Sequence, residues 1–197
     1  HDITPVFYFD PMNTNEYERA DASIPFLENL PTHSNCDKQF QYLQRPTELL
    51  LKYLDISYSE APQYAEADAS IDARDGKIDI VVSRDYDTLL FSAPTILRKI
   101  YDNPWEKISL RKTLQRNNLT MPQLIDVAIL TGTQLVCGPY DSHIEEAIEE
   151  VKTADSPESL KSSWNDYLRH STARIQTDAP TFKQLRQTYT SPPVNPE

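Results

Sequence analysis

The largely apolar run Ile78-Asp79-Ile80-Val81-Val82, followed at once by Ser83-Arg84-Asp85-Tyr86-Asp87-Thr88-Leu89-Leu90-Phe91, constrains this chain more than any other stretch. The first part reads as a strand buried in a core, and α/β proteins build their sites just outside the carboxyl ends of such strands. Asp85 and Asp87 alternate with Tyr86, so at strand spacing the two carboxylates share one side and offer hard oxygen ligands to a divalent cation. The same residues also suit a capped turn after a buried strand, and local pattern alone leaves both readings open.

Around this run the pattern predicts a single domain over residues 1–190, with an extended, proline-rich tail over 191–197. A strand is expected over 5–9, then an irregular segment over 11–45 with one short helix near 15–22. Helices are expected over 46–54 and 65–74, the second ending at Gly76, and a strand over 78–82. Next come a strand near 95–100, a helix or turn near 108–116, and a helix over 121–131 begun by Thr120 with Pro122 in its first turn. An acidic helix over 141–152 and a helix over 156–170 with Leu160, Trp164, Tyr167 and Leu168 as its core stripe close the list. Strand and helix alternation favours an α/β fold with a mainly parallel sheet flanked by helices.

A formal net charge of −11 argues against broad phosphate binding, and the one dense cationic stretch runs from Arg98 and Lys99 through Lys107 to Arg111, Lys112 and Arg116. Arg98, Lys99, Arg111 and Lys112 are therefore the candidates for touching nucleic acid or a partner. Only three glycines are present, Gly76, Gly132 and Gly138, so no glycine-rich phosphate cradle can be built. Cys36 and Cys137 lie far apart, with no histidine or cysteine at zinc spacing, which fits a reduced, intracellular protein. No apolar run approaches membrane-spanning length, and no secretory signal pattern stands at the amino end; neither a membrane nor a small-molecule cofactor is expected.

Taken with Leu124-Ile125-Asp126-Val127-Ala128-Ile129-Leu130-Thr131-Gly132-Thr133-Gln134, the Asp85/Asp87 run resembles the core of the flap endonuclease/XPG (Rad2) family of structure-specific 5′ nucleases. Ile3 to Asp10 is similar to the family's strand ending in Asp, and Thr181-Phe182 through Ser191-Pro192-Pro193-Val194 to the segment that closes its nuclease domain. The resemblance implies a PIN-like 5′ nuclease fold and a carboxylate cluster that holds two Mg²⁺ ions for phosphodiester hydrolysis.

On that resemblance Asp10, Glu66, Asp85 and Asp87 match family acids and are the candidate catalytic and metal-ligating residues. Tyr64 and Gln134 stand where the family has a glutamate and an aspartate, and Pro11 where it has a glycine; the earliest family carboxylate lies on a strand expected to precede residue 1. Four acids suffice for one Mg²⁺ or Mn²⁺, whereas a second ion loses two of its anionic ligands. The 11–45 segment is shorter and poorer in cations than the family's helical arch, and 135–152 corresponds to a degenerate helix-two-turn-helix with one glycine and no lysine in its phosphate-gripping turn. Two readings follow: a weak or inactive nuclease serving as a scaffold for a protein or nucleic-acid partner, and an active Mg²⁺-dependent nuclease on flap DNA or RNA. The lost ligands and broken turn favour the first; four retained, mutually repelling acids favour the second.

Overall fold

A computed structural model describes residues 3–11, 36–101, 104–133, 138–140, 143–170 and 180–195. The expected helix near 15–22 lies outside them. The chain divides into two compact units, one of His1–Asp68 with Val194–Glu197 and one of Ala69–Pro193.

The first unit holds strand β1 (Val6–Phe9), helix α1 (Cys36–Tyr53), strand β2 (Ser57–Glu60) and the opening of helix α2 (Ala65–Arg74). β1 and β2 pair in parallel, Val6 opposite Ser57 and Phe9 opposite Glu60, and Ala61 N–H extends the ladder to the carbonyl of Phe9 at 2.8 Å. α1 begins at Cys36, well before the expected start near Pro46, so the tail of the segment read as irregular is helical. Pro46 sits inside this helix, where it cannot donate a backbone hydrogen bond. In the following turn Thr47 donates its hydroxyl to Leu43 O at 2.7 Å, and the buried Glu48 accepts from Gln44 Nε2 (3.1 Å) and Arg45 (3.0 Å).

In the second unit, β3 (Val81–Val82), β4 (Thr95–Arg98) and β5 (Glu106–Ser109) form a three-stranded sheet in that order. β3 and β4 are parallel; β4 and β5 form an antiparallel hairpin that the sequence reading did not include. β3 is shorter than the apolar run 78–82 because the amides of Lys77 and Ile78 turn back to Asp72 O, closing the end of α2 around Gly76 at φ +79°.

Helices α3 (Asp87–Leu90), α4 (Leu110–Asn117), α5 (Met121–Thr131), α6 (Ile144–Thr153), α7 (Pro157–His170) and α8 (Phe182–Thr190) complete the unit. α5 is its central helix: Ile125, Asp126, Val127, Ile129 and Leu130 are all buried, with α3, α6 and α8 packed on it. Its start is a reciprocal capping box in which Gln123 N–H donates to Thr120 Oγ1 and Thr120 N–H donates to Gln123 Oε1. Thr181 and Gln184 repeat the device at the head of α8. Trp164 is fully buried on α7 against Phe182, as its place in the predicted core stripe requires.

Candidate metal and nucleic-acid site

The four candidate acids fall in two pairs, one in each unit. In the first unit, Asp10 follows the last residue of β1 and its Oδ1 accepts a hydrogen bond from Ala65 N–H at 2.8 Å. The first amides of a helix lack intrahelical partners and carry partial positive charge, so a carboxylate is stabilised there. This contact brings Asp10 to the opening turn of α2, which carries Glu66 as its second residue. The backbone carbonyl of Asp10 accepts from Gln44 Nε2 at 3.1 Å, so both ends of the residue are fixed.

Tyr64 immediately precedes α2, its carbonyl accepting from Ala67 and Asp68, and its phenol oxygen accepts from Gln63 Nε2 at 3.1 Å. Asp68, in the same opening turn, is buried and accepts from Asn195 Nδ2 at 2.9 Å, while that amide also donates to Glu60 O. This contact of Asp68 with Asn195 was not legible in sequence, because it joins residues more than a hundred positions apart.

In the second unit Asp85 and Asp87 flank the β3–α3 turn. The amide of Asp85 donates to Ser83 Oγ at 3.1 Å, and its carbonyl accepts from Thr88 Oγ1 at 3.0 Å, which leaves an exposed side chain on a doubly tied backbone. Asp87 is half-buried at the start of α3, and its Oδ2 accepts from the hydroxyl of Tyr189 on α8 at 3.4 Å. Tyr189 escaped sequence reasoning; the only signal was an aromatic residue just ahead of the Ser191-Pro192-Pro193-Val194 motif. α3 itself was also missed, since four residues give no periodicity to read. Within each unit, among the described residues, no three acidic, histidine or cysteine side chains gather as a metal-ligand group.

The candidate cations behave differently from one another. Arg98 is an internal strut: its guanidinium lies 3.6 Å over the ring of Tyr86, its Nε donates to Arg84 O at 2.8 Å, and it pairs with Glu106 at 3.1 Å. Only 15% of its side chain is exposed. Lys99 is 56% exposed and 3.8 Å from the same Glu106. Arg111 and Lys112 are exposed in the first turn of α4.

Gln134 and Cys137 lie outside the described residues. Beyond them, Gly138 packs where a Cβ would overlap the carbonyl of Leu130 and the amide of Gly132, and Tyr140 N–H donates to Leu130 O at 2.9 Å, so this turn is laid against the end of α5. The Tyr140 phenol is pushed up to about 12, first by its hydrogen bond to Glu150 and then by burial and the charges of Glu150 and Glu146. Glu146 and Glu150 thus place negative charge near Tyr140, in the region where the resemblance expects a phosphate grip, and such charge repels anions.

Residues 55–134, which contain Glu66, Asp85 and Asp87 and end at Gln134, match the family model described as "XPG I-region". Flap endonuclease 1 of Haloquadratum walsbyi is 31% identical over all of this chain, which spans 63% of that relative's length. Among solved structures, flap endonuclease-1 from Methanococcus jannaschii superposes with a TM-score of 0.66 at 24% identity, over 98% of this chain and 64% of that one. The chain is a member of the XPG/flap endonuclease family. Its architecture is the family's PIN-like α/β fold. The same fold is shared with the Holliday junction-resolving enzyme GEN1, solved in complex with product DNA and Mg²⁺ ion, at a TM-score of 0.62 and 20% identity, over 98% of this chain and 48% of that one. Among the described residues no helix is long and apolar enough to cross a membrane.

Proposed function

We propose that this family member binds a divalent cation and nucleic acid, and that its phosphodiester cleavage is weak or lost. Family membership and the solved complex of GEN1 with product DNA and Mg²⁺ support the two ligands. The donor chemistry suits such a metal: Asp10 and Glu66 in one unit, and Asp85 and Asp87 in the other, each carry the hard carboxylate oxygens that Mg²⁺ and Mn²⁺ prefer. When bound, such an ion polarises a phosphoryl oxygen and lowers the pKa of attacking water. Within the chain, Ala65 N–H donates to Asp10 and the Tyr189 hydroxyl donates to Asp87.

One observation carries the loss of activity. Tyr64 stands where a family carboxylate is expected, and its phenol accepts from Gln63 instead of offering negative charge. Gln134 removes a second charge in the same way. Together they take two anionic ligands from a cluster whose repulsion a pair of dications would offset. Lys99, Arg111 and Lys112 are the residues proposed to meet phosphate, since Arg98 is already committed. A protein partner held by the same domain is compatible with this reading, which is that of an intracellular protein.

Calorimetric titration with Mn²⁺ tests it. Wild-type protein should bind one ion, and Asp85→Ala should weaken that binding at least about tenfold. Two ions at full occupancy would overturn the single-metal reading, and an unaffected Asp85→Ala would remove Asp85 from the ligand set.

A further inference from the structure

Tyr189 lies within two residues of the end of α8 and is almost fully buried, at 4% exposure. Its ring packs on Phe91 with 5.1 Å between centroids, a contact that a phenylalanine would make equally well. Packing therefore leaves the hydroxyl unexplained. A buried phenol costs free energy unless it donates to an acceptor, and this one donates to Oδ2 of Asp87. α8 is held at both ends of the contact: the Thr181/Gln184 capping box fixes its start, and Arg186 pairs with the buried Asp126 of α5 at 2.9 Å.

We propose that Tyr189 is a positioning residue for Asp87: its hydroxyl fixes the rotation of that carboxylate and so sets how Asp87 faces a divalent cation. The terminal torsion of an aspartate is broad, so a donor placed on one oxygen narrows what is otherwise a soft degree of freedom. Hydrogen-bond partners of metal ligands act in this way in metal sites generally. The inference rests on Asp87 being a ligand, as proposed above.

Three proteins decide it: the full chain, Tyr189→Phe, which keeps the ring, and Tyr189→Leu, which removes it. Each is titrated with Mn²⁺ by calorimetry and melted in the absence of metal. Tyr189→Phe should lose about tenfold in Mn²⁺ affinity, with a metal-free melting temperature close to that of the parent. Tyr189→Leu should melt well below both. Unchanged Mn²⁺ affinity in Tyr189→Phe overturns the inference and leaves the metal reading standing. A melting loss in Tyr189→Phe equal to that of Tyr189→Leu also overturns it, because the hydroxyl is then structural. Absence of Mn²⁺ binding in the parent overturns the metal reading and this inference together.

Discussion

Asp126 is the one charged residue of its helix, and burial pushes its pKa up to about 6 although the charge of Arg186 pulls it back. The 2.9 Å approach of Arg186 Nε to Oδ1 is an ion pair without good hydrogen-bond alignment, consistent with burial winning over pairing. Because the folded pKa lies above the unfolded value of 3.8, the folded state binds this proton more tightly. The associated stability is complete below about pH 4 and is lost as pH rises through about 6. Removing Arg186 leaves the ionised form without compensation, so Arg186→Met should cost about 1–3 kcal/mol at pH 7.5 and clearly less at pH 4.5. Urea unfolding at the two pH values checks this; an equal loss at both would mean that Arg186 acts through packing alone. Gly138 makes a simpler case. Its missing side chain is what lets the turn lie on the carbonyl of Leu130, and because the opposing atoms are backbone they cannot swing aside. Gly138→Ala should therefore lower stability by about 2 kcal/mol or more, whereas full stability in the same unfolding measurement would show that the turn repacks.

At the scale of elements, helices with both a cap signal and a long period were readable. α2 and α5 occupy the predicted 65–74 and 121–131, the latter because Thr120 and Pro122 mark its start. Elements whose existence depends on a distant partner were not. β2 shows little apolar alternation in Ser57-Tyr58-Ser59-Glu60 and is a strand because β1 pairs with it. β5 likewise exists as the return half of the β4 hairpin. The start of α1 was misplaced because Pro46 reads as a helix-opening residue, whereas here it is tolerated inside the helix. The candidate site divides along the same line. Asp10, Glu66, Asp85 and Asp87 could be named from sequence spacing and resemblance, while the groups that hold Asp10 and Asp87, Ala65 N–H and the Tyr189 hydroxyl, appear only once the chain is folded.

At the scale of the molecule, the fold of the XPG/flap endonuclease family is combined with a net charge of −11 and, by the resemblance, with Tyr64 and Gln134 where the family carries carboxylates. A fold alone does not decide an activity, and the reading proposed above assigns that decision to the identity of a few side chains. Restoring those side chains is the most direct test of the claim that they are what limits cleavage. Mg²⁺-dependent cleavage of a labelled 5′-flap DNA should be compared between this chain and the Tyr64→Glu, Gln134→Asp double variant, with Asp85→Ala introduced into each as the control. We expect slow or undetectable cleavage by the parent and a gain of about 100-fold or more in the double variant, abolished by Asp85→Ala. Rapid cleavage by the parent, undiminished relative to the double variant, would contradict the account.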